Sequence, residues 1–268
     1  NGLQTARDVE QKLGLVTLVS MPKVPTEKGH DGKPVNALDY LIAKPLSAFS
    51  EALRSLRSAL QLSNVDNPPK VILFTSALPS EGKTTTAASF ARAAAASGLK
   101  VILLDCDLRH PSVHRTFNIA RPDEGLVELL AERLDPATVI VKDTKSELDL
   151  LPVAMGTANP PDVLASSQMK LLLQRFRDEY DLVVLDSAPV LPVADSRVLA
   201  RMVDEVVFVI RWNATPRDAA LAAIKELRQY DATIAGAVLT VVDTAKQAKY
   251  GYGDGGYYYA SYSKYYAN

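Results

Sequence analysis

Short apolar segments alternating with amphipathic helical patterns predict an α/β domain: a mostly parallel sheet with helices on both faces. The runs Val71–Phe74, Val101–Leu104, Leu182–Leu185 and Val206–Ile210 are continuously apolar and of strand length, as a strand buried on both faces requires. Helical patterns lie between them, which is the order of a crossover-connected parallel sheet. With 268 residues and 47% hydrophobic content, the chain has enough apolar material for one large core with appendages.

Taken in order, residues 1–36 read as a connector that wraps this core. Val9–Leu15 suits a short helix and Leu15–Val19 a strand, after which Pro22, Pro25, Gly29, Gly32 and Pro34 interrupt any pattern. From Pro45 to Leu62, the residues Leu46, Phe49, Leu53, Leu56 and Leu60 fall within an arc of about 80° at ~100° per residue, with Glu51, Arg54 and Arg57 beside it. This predicts an amphipathic helix with a charged stripe. The main domain, 37–249, then continues as strand Val71–Thr75, helix Lys83–Ser97 closed by Gly98, strand Val101–Leu104, a helix near Leu126–Arg133 and strand Leu148–Leu151. Helix Asp162–Tyr180, strand Leu182–Leu185, a helix near Ser196–Met202, strand Val206–Ile210, helix Arg217–Gln229 and strand Ala237–Val242 complete it.

The segment 250–268 differs in kind. It holds eight of the eleven tyrosines, Tyr250, Tyr252, Tyr257, Tyr258, Tyr259, Tyr262, Tyr265 and Tyr266, and their spacing follows neither a strand nor a helix. The intervening glycines raise the entropy cost of ordering it. A flexible tail of this kind reads either as a substrate or as a low-complexity aromatic terminus.

Composition narrows the function classes. A formal net charge of −1 gives no basic field for nucleic acid, so a phosphate ligand needs a local site. Cys106 is the single cysteine, which excludes an internal disulfide and suits a reducing compartment. No apolar run approaches the ~20 residues of a membrane span. The first residue is Asn1, so the chain reads as a soluble piece of a longer protein.

The run Ala77-Leu-Pro-Ser-Glu-Gly-Lys-Thr84 lies between a buried strand and an alanine-rich helix, the context of a phosphate-binding loop. Ala77, Pro79, Ser80, Glu81, Gly82, Lys83, Thr84 and Thr85 are therefore the candidate nucleotide-binding residues. Loop amides and the helix N-terminus would surround the β-phosphate, Lys83 would reach the β- and γ-phosphates, and the Thr84 hydroxyl would ligate Mg²⁺. Ala77 departs from the glycine expected at the first position. Asp105 and Asp107, and separately Asp186, follow apolar strands, which is where ligands sit on an open α/β sheet. ATP and Mg²⁺ are the implied cofactors, on a P-loop NTPase-like fold.

Ala77–Thr84, Val101–Arg109 and Leu182–Pro189 resemble the Walker A, Walker A′ and Walker B motifs of the bacterial tyrosine kinases, the BY-kinases, which are catalytic domains of polysaccharide co-polymerases. Glu51-x-x-Arg54-x-x-Arg57 is similar to that family's oligomerisation motif, and the tyrosine cluster resembles its autophosphorylated tail. The resemblance implies an ATP-dependent protein tyrosine kinase that phosphorylates its tail between subunits of a homo-oligomeric ring, with all eight tail tyrosines as acceptors. It also implies a role in exopolysaccharide or capsule synthesis and export. A membrane activator in the same or a partner chain, a cognate phosphotyrosine phosphatase and a location at the cytoplasmic face of the inner membrane follow from it, with residues 1–36 trailing a membrane segment.

In those roles Asp105 is the candidate base that accepts the tyrosine proton. Asp107 and Asp186 hold Mg²⁺ directly or through water, while Lys83 stabilises charge on the transferred group. Asp105 and Asp107 lie two residues apart and can exchange roles. Arg109 suits either phosphate or an ion pair, and Arg211 and Asp243 either a purine pocket or solvent. The four-residue spacing of His110 and His114 is disturbed by Pro111, which argues against a metal pair. Cys106, between two acids, suits packing better than reactivity. The competing functions are a partitioning or septum-positioning ATPase of the deviant P-loop type and a nucleotide-binding regulator without catalysis. The former carries an extra lysine near the start of the loop, where this chain has Leu78.

Overall fold

The computed structural model describes residues 2–26 and 35–250. Of the eight tyrosines expected to be phosphorylated, Tyr250 is the last residue of the final helix. The other seven, Tyr252, Tyr257, Tyr258, Tyr259, Tyr262, Tyr265 and Tyr266, lie outside the described residues. The chain opens with α1 (Ala6–Leu13), β1 (Thr17–Pro22), α2 (Ala37–Ala43), α3 (Ala48–Ser63), β2 (Val71–Ser76), α4 (Lys83–Ala96) and β3 (Val101–Cys106). Short elements follow: α5 (Val113–Thr116), α6 (Leu126–Glu132), α7 (Pro136–Val139), β4 (Val141–Lys142) and β5 (Asp149–Leu151). The last part is α8 (Pro160–Leu164), α9 (Ser167–Glu179), β6 (Leu182–Ser187), α10 (Asp195–Ala200), β7 (Glu205–Arg211), α11 (Arg217–Gln229), β8 (Ile234–Val242) and α12 (Thr244–Tyr250).

The strands form one eight-stranded sheet in the order β1-β8-β7-β2-β6-β3-β5-β4. All neighbours are parallel except β4 and β5. Alternate side chains divide the core between the two faces, as the two-residue period of a strand dictates. Val71 and Leu73 join the cluster under α1, α9, α10 and α11. Ile72 and Phe74 join the one under α2, α3 and α4. The predicted architecture is therefore the observed one.

Several local expectations change. The first segment is more than a connector: β1 pairs in parallel with β8 at the sheet edge, and Leu3, Val9, Leu13 and Leu15 are buried in the main core. Leu46, placed on the buried arc, is 74% exposed. It precedes the helix, because the Ser47 side chain accepts from Ser50 N and caps α3 one residue later. The long helix expected over 162–180 is two helices, since the Ser166 hydroxyl accepts from Met169 N and starts a new one. Among the described residues no helix is long and apolar enough to cross a membrane.

Candidate functional site

The carboxyl ends of β2, β3 and β6 meet beside the N-terminus of α4, because these strands are neighbours in the sheet. Register places Asp105 of β3 opposite Asp186 of β6, and Phe74 of β2 opposite Asp186 on its other side. A cavity of about 450 Å³ lies above these ends, lined by the phosphate loop and by residues from the stretches Asp107–Arg115 and Ala188–Val193.

The loop between β2 and α4 requires an unusual backbone. Gly82 sits at φ +88°, and a Cβ there would lie 3.2 Å from the Thr240 hydroxyl oxygen, so glycine is needed for both conformation and space. Pro79, Ser80, Glu81, Gly82, Lys83, Thr84 and Thr85 all line the cavity. Ala77 does not: it is fully buried in the core. Glu81 shows the cavity little of its side chain. Its carboxylate accepts from Leu78 N at 2.9 Å and from the Thr215 hydroxyl, while its carbonyl accepts from Thr240 Oγ1 at 2.7 Å. Burial pushes the Glu81 carboxyl up from the usual carboxylate range. Glu81 thus anchors the loop to β8 and the start of α11. Arg211, exposed at the end of β7 as one of its two sequence readings allows, is a second brace that donates to Ser80 O at 2.9 Å. Asp243 pairs locally with Lys246.

The catalytic candidates converge. Lys83 Nζ donates to Asp186 Oδ1 at 2.7 Å and lies 3.3 Å from Thr84 Oγ1, which donates to Asp186 Oδ2 at 2.7 Å. Asp186 is fully buried. Asp107 Oδ1 accepts from His110 N at 3.1 Å, and its carboxyl is pushed up mainly by burial, opposed by the Lys83 charge.

Asp105 is fully buried and does not line the cavity. Its Oδ2 accepts from Ser112 N and Val113 N at 2.9 and 3.0 Å, and its Oδ1 from Asp107 N at 3.2 Å. Burial, reinforced by the Asp186 charge and resisted by these amides, pushes its carboxyl to about 7. Asp105 therefore has the tuned acidity of a base, and Asp107 has the access. A proton acceptor must first come within hydrogen-bond reach of the proton, which favours Asp107.

Cys106 is buried and its thiol is pushed up by burial and by Asp105, Asp186 and Asp107, so it packs as expected. Arg109 is committed to Asp195 through two bonds of 3.0 and 3.1 Å. Among the described residues no group of three or more His, Cys, Asp or Glu is set to hold a metal ion. A Mg²⁺ site of hydroxyl, carboxylate and substrate phosphate needs no such cage. The oxygens of Thr84, Asp186 and Asp107 are the hard donors this ion prefers, so the residues fit it.

Glu51 and Arg54 form a surface pair, with Arg54 Nε 2.8 Å from Glu51 Oε2, and Arg57 donates to Ser97 Oγ. Sequence reasoning missed Ser112, Arg115, Thr215 and Thr240. The first two trail the second acidic motif closely enough to be suspected; the threonines are brought in only by the fold.

An AAA-domain family model matches residues 69–235. Tyrosine-protein kinase YwqD of Bacillus subtilis is 34% identical over 211 residues, 79% of this chain and 89% of that protein. The succinoglycan biosynthesis transport protein ExoP of Rhizobium meliloti is 33% identical over 243 residues, 88% of this chain but only 30% of that longer protein. The kinase domain of the Escherichia coli tyrosine kinase ETK superposes with a TM-score of 0.79 at 27% identity, covering 89% of this chain and 94% of that one. With the Walker-type motifs gathered at one cavity and these relatives matching across them, the chain belongs to the bacterial tyrosine kinases, as a kinase domain on an AAA-type fold.

Proposed function

We propose that the protein uses ATP and Mg²⁺ to phosphorylate the tyrosine cluster at 250–268 of a neighbouring copy, and that this controls polysaccharide synthesis or export. The observation that carries the reading is the cluster in which Lys83, Thr84 and Asp186 are joined by short hydrogen bonds, with Asp107 on the wall of the same cavity. That set holds and neutralises a polyphosphate and offers a carboxylate to the acceptor.

In the proposed step the tyrosine oxygen bonds to the γ-phosphorus, and the bond between that phosphorus and the β–γ bridging oxygen breaks. ADP leaves with the electron pair, and the hydroxyl proton passes to Asp107. Lys83 follows the charge on the transferred group from a pre-set position, so its contribution is largest in the transition state. Thr84, Asp186 and Asp107 would hold Mg²⁺, which would supply further neutralisation of phosphate charge. Asp105 sets the local charge from behind the wall. This moves the base role first suggested for Asp105 to Asp107.

We place the domain at the cytoplasmic face of the inner membrane beside a membrane activator, with a phosphotyrosine phosphatase reversing the modification. The charged stripe Glu51, Arg54 and Arg57 joins copies into a ring that brings each tail to the next site. The polysaccharide role is supported by the similarity to a succinoglycan transport protein. Leu78, where partitioning ATPases carry a lysine, speaks against the switch reading. Incubation of the purified chain with ATP and Mg²⁺, followed by mass mapping, should find phosphate within the set Tyr250, Tyr252, Tyr257, Tyr258, Tyr259, Tyr262, Tyr265 and Tyr266, and none without Mg²⁺. A tail that stays unmodified at high protein concentration overturns the reading.

A further inference from the structure

We propose that Arg115 is the cation that grips the terminal phosphoryl group of the nucleotide, from the wall facing the phosphate loop. This rests on the kinase reading of the cavity and extends it to a residue outside the three motifs. The placement follows from α5. Ser112, just before that helix, lies with its hydroxyl 3.4 Å from Thr84 Oγ1, so one face of α5 abuts the phosphate loop. Arg115 lies in the helix that Ser112 precedes, and both residues line the cavity. Val113 and His114 between them are buried, whereas Arg115 is exposed and lines the cavity.

Charge identifies what Arg115 can do. Of the other lysine and arginine side chains lining the cavity, Lys83 is paired with Asp186 and Arg109 with Asp195. Arg115 has no ion-pair or hydrogen-bond partner for its guanidinium among the described residues. The amides that open α5 are not available to an anion either, because Ser112 N and Val113 N already donate to Asp105. A phosphate arriving beside Asp107 and Asp186 meets negative charge on the protein, and among the described residues the guanidinium is the lining Lys or Arg group whose charge no carboxylate offsets. Its planar fork suits two phosphate oxygens at once. In the transfer step written above, Arg115 stays on the moving phosphoryl group and neither gives nor takes a proton.

The test compares calorimetric affinities for ADP and a non-hydrolysable ATP analogue, both with Mg²⁺, in wild type, Arg115→Gln, Arg115→Lys and Arg121→Gln. Arg121 is an exposed cation nearby that donates to Ala154 O and does not line the cavity, so it controls for general charge. Arg115→Gln should lose about tenfold in affinity for the triphosphate with ADP unchanged. The lysine variant should recover part of this, and Arg121→Gln should match wild type. Single-turnover phosphate transfer should fall further than affinity in Arg115→Gln. Equal losses for both nucleotides, or no loss for either, overturn the inference, as does a fall in transfer alone, which would move Arg115 to the protein substrate. A wild type that binds both nucleotides and an Arg115→Gln variant identical to it would sink only this inference; a wild type that binds neither would sink the kinase reading of the cavity with it.

Discussion

Helix α4 carries two basic side chains that each hold a buried carboxylate, Lys83 at its first residue and Arg92 in its interior. Arg92 is closed off. Its Nε and Nη2 donate to Asp143 at 2.9 and 2.8 Å, its Nη1 donates to Leu38 O at 3.0 Å, and its guanidinium lies 4.9 Å from the centre of the Phe117 ring. Lys83 is equally close to Asp186 but faces the cavity, with Thr84 as its other partner. An ammonium has three donors, so one remains for a ligand. The contrast separates an ion pair enclosed in the core from one that faces open space. Burial and distance are alike in both, and what differs is whether the cation has unspent donors beside open space.

The largest effect that tests this contrast is on turnover. Lys83→Met should lower tail phosphorylation by about 10³-fold, while its melting temperature falls less than that of Arg92→Leu, because Arg92 also ties α4 to α2 through Leu38 O. Phosphorylation should be followed by mass spectrometry in a host without other tyrosine kinases, and melting by calorimetry. Undiminished phosphotyrosine would remove Lys83 from the site.

Next in size are the two acids of β3 and its following turn. Asp107→Asn should slow transfer to tyrosine by roughly 10²- to 10⁴-fold, the range for loss of a general base. Asp105→Asn should slow it less, since Asp105 acts from behind the wall. If single-turnover rates rank the other way, Asp105 reaches the substrate after a movement of α5 and the original assignment returns.

Arg92→Leu isolates the structural pair. It leaves Asp143 buried and unpaired, which should cost about 3–5 kcal/mol of stability. Activity per folded molecule should stay near wild type at low temperature. A specific loss of kcat without destabilisation would erase the distinction between the two cations.

The pH dependence of stability offers a smaller effect with a definite sign. The Asp105 carboxyl is raised from an ordinary 3.8 to about 7 in the folded, ligand-free protein. Its contribution to stability is complete below about pH 4 and is lost as pH rises through 7, when a buried charge must form. Asp105→Asn removes that loss. Relative to wild type, the variant should gain on the order of a few kcal/mol in denaturant unfolding between pH 5 and pH 8. A difference independent of pH would show that Asp105 is not a raised carboxyl.

The smallest effect on stability belongs to the exposed stripe. Arg54→Ala with Arg57→Ala should change folding free energy by no more than about 1 kcal/mol. It should nevertheless convert a ring to monomers in light scattering and depress autophosphorylation. Identical masses for variant and wild type would leave the stripe a solvated surface.

The sequence alone determined the α/β class, the order of the main strands, the phosphate loop and the acids at the ends of β3 and β6. These are local signals: an apolar run of strand length, a Gly-Lys-Thr opening a helix, and a carboxylate directly after a strand. Leu46 shows where even a local signal fails, because a periodic pattern does not reveal that Ser47 caps the helix. Tertiary structure decided the rest. Glu81 resembles a loop residue aimed at phosphate until Thr215 and Thr240, more than 130 positions away, turn it into an anchor. Asp105 and Asp107 are indistinguishable as letters two apart; the amides of Ser112 and Val113 seal one, and the cavity exposes the other. Arg92 carries no motif, and only the meeting of α4 with Asp143 makes it a buried ion pair. Periodicity and motif report what a residue's neighbours in the chain allow, whereas partner, burial and access are set by segments brought together in space, and those three quantities fix what a charged side chain does.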